Sequence, residues 1–182
     1  SMNLDLGGEI VRNNLNVVTE GEDSSCSVNG IYITTDSQHI DNKVVINHNS
    51  SYTTSRELYK GILSGKSKAI FHGSIVVREG LRQIDALQID KNLLLSDQAQ
   101  ANTKPAFWIY SDDVKCGHGA ASGQIDRNAI FYLTSRGISE SDARNLLVKG
   151  FVQEVIESIP NKFYKDKMDN MVSASLLDVL GI

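Results

Sequence analysis

Cysteine is scarce in this sequence: only Cys26 and Cys116 occur, far apart in 182 residues. That excludes a disulfide framework and favours a reducing compartment. Positive charge is not in excess either. A net charge of -4 and a pI near 5.5 give no electrostatic case for nucleic acid or for an anionic membrane surface. No apolar run approaches the ~20 residues needed to span a bilayer. The first residues lack the charged, apolar and small-residue regions of a signal peptide. No GxxxxGK[ST] phosphate loop is present, so any ATP hydrolysis has to belong to a partner. Proline is nearly absent, with only Pro105 and Pro160. No helix of ordinary length reads before Gln124, which argues against alternating βαβ units.

What remains is an ordinary globular composition, 41% hydrophobic and 22% charged, on a chain long enough to bury a sizeable core. Short apolar, β-branched runs fill the first part: Ile10–Val18, Ser27–Thr34, Lys43–Asn47, Leu58–Leu63, Ala69–Val77, Ile84–Ile89 and Leu93–Leu95. Turn-forming stretches such as Gly21–Ser24, Asp41-Asn42, Ser64-Gly65 and Asp90-Lys91-Asn92 separate them. The apolar triplets Val44-Val45-Ile46, Ile75-Val76-Val77 and Leu93-Leu94-Leu95 recur without a fixed interval. Periodicity therefore leaves a sandwich and a strand-stacking solenoid both open.

After Gln124 the period becomes helical. Asp126 is placed to N-cap a helix through Arg136 with Ile130, Phe131 and Leu133 on its apolar side, and Gly137 to end it. Ser139, with Asp142 three residues on, opens a second helix. Its stripe runs through Ala143, Leu146, Leu147, Gly150, Phe151, Val155 and Ile156, and Pro160 stops it. A polar break over Asn161–Asn170 precedes a third amphipathic segment with Met171, Leu176, Leu177 and Leu180. The expected division is a β core over 1–123 and a helical domain over 124–182.

Chemistry concentrates in the joining stretch Ser111–Gly137, where Cys116 and His118 form the one compact thiol–imidazole pairing. On an extended segment residues two apart share a face, so the pair offers two metal ligands side by side, sulfur favouring iron–sulfur chemistry. Two ligands cannot close a tetrahedral site, so a partner must supply the rest or the site must be open. A packed cysteine and a satisfied turn histidine are the bland alternative. A Cys116 nucleophile with a His118 base is disfavoured, because parallel neighbours on a strand are badly aimed for proton transfer and no third orienting group is evident. Asp112-Asp113 reads as solvated, Cys26 as incidental, and His39, His48 and His72 as isolated surface or turn residues. Glu154 lies close to the Phe151 stripe, where a charge needs an ion-pair partner within the fold or on another protein.

Several separate motifs, in order, carry a resemblance. DDVKC-x-HGA from Asp112, Gln124-Ile125-Asp126, FYL-x-SRGIS, and the Ala143-Arg144…Gly150-Phe151…Glu154-Val155 run resemble the C-terminal signature of the SufB/SufD family of iron–sulfur cluster assembly proteins. Thr53–Gly61 and Lys91–Ser96 extend the likeness upstream, so that it covers most of the chain from about Gly21. Gly119 after His118, where SufB-type chains tend to carry glutamate, places the resemblance on the SufD side. It implies a mainly β protein, a right-handed parallel β-helix followed by a C-terminal helical appendage. It further implies a non-catalytic component of the SUF system that pairs with a SufB-like paralogue and binds a SufC-like ATPase through its C-terminal helices. Cys116 and His118 match the family's interface ligands, so the expected cofactor is a nascent iron–sulfur cluster, transient and shared with SufB. No tightly bound cofactor is expected in the isolated chain. A dimerisation module without a metal role, forming a homodimer when isolated, is the alternative. Family members are longer, and Ser1-Met2 reads as a tag-cleavage scar before an internal start, so a piece of a longer protein is expected. Its place would be the cytoplasm, or a plastid-type organelle.

Overall fold

The computed structural model describes residues 1–180; residues 181 and 182 of the expected helical domain lie outside the described residues. Nine strands come first: β1 (Met2–Asp5), β2 (Ile10–Thr19), β3 (Ser25–Thr34), β4 (His39–His48), β5 (Thr54–Leu63), β6 (Lys68–Val77), β7 (Arg82–Leu94), β8 (Gln100–Ile109) and β9 (Asp113–Gln124). Three helices follow: α1 (Arg127–Thr134), α2 (Glu140–Glu157) and α3 (Lys162–Leu180).

Every strand bonds not to its neighbour in sequence but to the strand two further on, always in parallel. One sheet runs β1-β3-β5-β7-β9 and the other β2-β4-β6-β8. The chain is therefore a parallel β-helix, and the sandwich left open by periodicity is excluded. Ile10 pairs with His39 and His39 with Lys68, a coil of 29 residues; the step from Lys68 to Gln100 lengthens it to 32.

Alternate side chains of both sheets point into a shared lumen. On β4 and β6 these are Ile40, Asn42, Val44, Ile46 and His48, then Ala69, Phe71, Gly73, Ile75 and Val77, all on the inner face. On β3 both faces are covered, which is why burial there is continuous from Val28 to Thr34 whereas β2 alternates. The outer cover is α2 and α3. Val148, Val152, Val155, Ile156, Val172 and Leu176 pack on Ile31, Ile33 and Ile62, each such aliphatic burial being worth roughly 1.5–3 kcal/mol.

Polar contacts fix where α2 sits. The Lys60 ammonium, on the outer face of β5, donates to Phe151 O and to Glu154 Oε2, both at 2.7 Å, beneath the Phe151 ring. Asn29 Nδ2 donates to Ser158 Oγ at 2.8 Å. Glu154 thus finds its ion-pair partner within the fold, and the hydrogen bond from Lys60 holds its carboxyl below the usual range.

The elements depart from the expected ones in definite ways. Met2–Asp5, inside the expected β core but in none of its expected strands, forms β1 and pairs with β3. Asp90-Lys91-Asn92 is no turn: Ile84–Ile89 and Leu93–Leu95 are parts of one strand, β7, apart from Leu95. Strand β8 lay in a stretch where no strand was expected. Asn161–Asn170 is no break, because Asn161 Oδ1 accepts from the N–H groups of Phe163 and Tyr164 and opens α3. The caps Asp126 and Ser139 are where they were expected, accepting from Asn128 N and Asp142 N. The apolar side of α1 is not buried, with Phe131 at 72% exposure, and Leu146 of α2 is likewise exposed while Val148 and Val152 take the buried face.

Candidate functional site

Cys116 and His118 lie on β9, the last strand of its sheet, two residues apart. Their register partners on β7 are Ala86 and Gln88. Ala86 and Gln88 are buried lumen residues, so both members of the pair point to the inner face of the final coil. The same-face reading of the Cys-x-His spacing is correct.

The two side chains meet different surroundings. Cys116 is half-buried and packs against Ile75, Val77, Ile84 and Ala86. Burial pushes its thiol up, the Asp85 carboxylate adds to this, and a backbone hydrogen bond involving Ala86 works against it. A raised thiol is protonated near neutrality and is a poor nucleophile unless a cation displaces the proton. His118 is exposed, and its ring lies on Phe107 of β8 with centroids 4.6 Å apart and planes tilted by 48°. Among the described residues no hydrogen bond links Cys116 to His118 or either to a third orienting group, which is not the layout of a nucleophile and its base. Nor do the described residues bring three or more His, Cys, Asp or Glu together as a metal cluster.

Position in the stack gives the pair its character. β8 and β9 end the two sheets, so each presents an unpaired strand edge. From His118 to Gln124 β9 is exposed along its length, and Trp108 and Tyr110 are exposed beside it. A thiol and an imidazole therefore sit at the open mouth of the lumen.

The family model for the SUF system FeS cluster assembly SufBD core domain matches residues 1–151. The chain belongs to the SufBD core family. It is 36% identical over 163 residues to the iron–sulfur cluster assembly protein SufD of Escherichia coli, covering 90% of this chain and 38% of that protein. It is 32% identical over 172 residues to a SufBD family iron–sulfur cluster assembly protein of Synechocystis, covering 94% of this chain and 38% of the other. Against the chloroplastic protein ABCI7 of Arabidopsis thaliana it is 35% identical over 173 residues, with 93% and 36% covered. The chain thus spans little more than a third of the length of these relatives. It is a SufD-like SufBD core chain, and no helix among its described residues is long and apolar enough to cross a membrane.

The remaining singled-out residues sort as follows. Asp112 and Asp113 are exposed, as expected of a solvated pair. Cys26 faces the lumen of β3 and packs on its core, in the same inner column as Ser55, Ala86 and Cys116. His48 is not a surface residue: it is fully buried, with Nδ1 2.7 Å from Thr53 Oγ1 and Nε2 2.9 Å from Ser55 Oγ, and burial lowers its pKa. His39 and His72 remain apart from any cluster. Nothing in the sequence marks Phe107 as the floor under His118. Only the rung register brings it there, through its pairing with Ile75.

Proposed function

We propose that this SufBD core chain is the SufD-type, non-catalytic half of a cluster-building pair. Its last coil, β8 and β9, would dock edge to edge on a SufB-like paralogue. Its C-terminal helices would engage a SufC-like ATPase, with exposed Phe131, Tyr132, Phe163 and Tyr164 available for the contact. The nascent iron–sulfur cluster is cargo, held for a time between the two chains.

A single observation carries this reading: a thiol and an imidazole share the inner face of an unpaired terminal strand. An iron–sulfur cluster takes four protein ligands in all, so two side chains from one chain leave two for another to supply. A site closed by a partner opens when the partner moves, which suits delivery. The thiol held protonated by burial gains a thiolate's affinity only when a metal cation arrives to displace the proton.

The test is anaerobic iron–sulfur loading of the full-length protein reconstituted with its SufB-like and SufC-like partners. Cys116→Ser and His118→Ala are each expected to bring cluster absorbance to background while the complex still assembles on a sizing column. Normal loading by both variants would sink the ligand role and leave the alternative, a dimerisation module whose last coil only packs.

A further inference from the structure

The lumen holds a carboxyl group that the docking and cluster roles do not use. Glu57 on β5 and Gln88 on β7 face each other across adjacent coils and are 2% and 0% exposed. Gln88 Nε2 donates to Glu57 Oε2 at 2.6 Å, short for an amide donor even to a charged acceptor. The two oxygens left over, Glu57 Oε1 and Gln88 Oε1, are both buried without a partner. They are the second atoms of the two groups that already face each other, and both can only accept while Glu57 is ionised.

We infer that Glu57 is a carboxylic acid in the folded protein, with its proton on Oε1 donated to Gln88 Oε1. One proton then supplies the donor that both orphaned oxygens lack, and the acid and amide close a two-bond ring. The pair becomes an uncharged clamp between β5 and β7, lying behind the coil of His118, the register partner of Gln88. Gly73 on the opposite sheet leaves the space into which the Gln88 amide reaches, since a Cβ there would overlap it.

The surrounding charges point the same way. Asp90 is buried on β7, Asp5 on β1 and Tyr59 on β5; Cys26 and Tyr32 face the lumen from β3 and His48 from β4. None is a fixed cation. Lys60 on β5 points outward to Glu154, and the N-terminal ammonium, exposed at the first coil, donates to Ser27 O. Burial first, with the Asp90 charge adding and the Gln88 hydrogen bond opposing, raises the Glu57 pKa to about 8.

The sign of the pH effect follows. The unfolded chain loses this proton near the ordinary glutamate value and the folded chain keeps it until about 8. In between, the native state binds more protons, so stability falls as pH rises, the unfolding constant growing up to about tenfold per pH unit from this group. Above the folded value the loss is complete, making the clamp sensitive to mild alkalinity.

Infrared and carboxyl ¹³C NMR titration of the 182-residue chain test this directly. A protonated carboxyl C=O band at pH 6–7, absent from Glu57→Gln, is expected, together with a wild-type Glu57 carbon that titrates far above the ordinary glutamate range. Denaturant unfolding of Glu57→Gln should lose the tenfold-per-unit component between the two pKa values. A Glu57 carbon already ionised at pH 6 would overturn the proposal, whether or not the variant folds. So would a protonated band that persists unchanged in Glu57→Gln, which would belong to Asp90.

Discussion

Alanine at Gly61 is expected to lower the thermal midpoint by about 10 °C. Gly61 pairs in register with Tyr32, and a Cβ there would overlap the Tyr32 ring and Asn92 Oδ1. Neither neighbour can step aside. Tyr32 is 1% exposed, and its hydroxyl donates to Asp90 Oδ1 at 3.1 Å and Asn92 Oδ1 at 2.5 Å. Asp90 Oδ2 in turn accepts from Asn92 at 2.8 Å and from Thr103 at 2.5 Å. Overpacking of this kind costs about 1–3 kcal/mol, and disturbing a buried hydrogen bond to a charged group adds about 1.5–3 kcal/mol. In a chain of this length each kcal/mol is worth about 2–4 °C. Gly21→Ala is the control, because a methyl there meets nothing. Scanning calorimetry of both variants decides the matter, and an unchanged midpoint for Gly61→Ala would show that the lumen yields. Tyr32→Ala should remove most of the penalty in the double variant, since the two positions are in contact.

Gly30 and Tyr59 repeat the arrangement one step along, with the glycine now on β3 and the ring from β5 lying over it. Two tyrosines from neighbouring coils each occupy the space left by the other's glycine. The sequence contains these residues but not the pairing, which exists only once a coil of 29 residues is known. That coil was hard to see for a reason. Val44-Val45-Ile46 and Ile75-Val76-Val77 lie on one sheet, whereas Leu93 and Leu94 lie on the other, so the intervals between triplets mix whole coils with part coils. Most strand cores were legible because β-branched runs mark them locally, but the turn formers misled at Asp41-Asn42, which lies inside β4 with Asn42 buried in the lumen. Strand β8 was not legible, since its alternate residues Gln100, Asn102 and Lys104 face solvent and Pro105 breaks the pattern. An edge strand tolerates that proline. Asp90 and Asn92 resemble a turn because their partners are not local in sequence: Tyr32 lies two coils earlier and Thr103 on the facing sheet. In the candidate site the Cys-x-His spacing was readable as a shared face. That the face belongs to the open end of a lumen, floored by Phe107, is a property of the register alone.

The helices and the last coil should be separable by one substitution. Val152→Asp is expected to release α2 and α3 from the outer sheet while leaving the coils paired. Val152 is fully buried among Ile31, Ile33, Ile62, Val148 and Val172, and the Lys60 ammonium is already engaged with Glu154 and Phe151 O. An unpaired buried carboxylate costs about 3–5 kcal/mol. Undocking lets it reach water, and local opening of that kind needs less free energy than unfolding nine paired strands whose hydrogen bonds run within each sheet from coil to coil. Hydrogen exchange should therefore speed up across residues 140–180 with β3 to β7 still protected, and limited proteolysis should cut first within α2 or α3. Uniform protection like that of the unsubstituted chain would mean the helices can absorb the charge in place. In the full-length protein the same variant distinguishes the two proposed contacts: association with the ATPase should fail, whereas pairing through β8 and β9 should persist, because Cys116 and Phe107 pack on a separate cluster from the one that α2 and α3 cover, and His118 lies on Phe107.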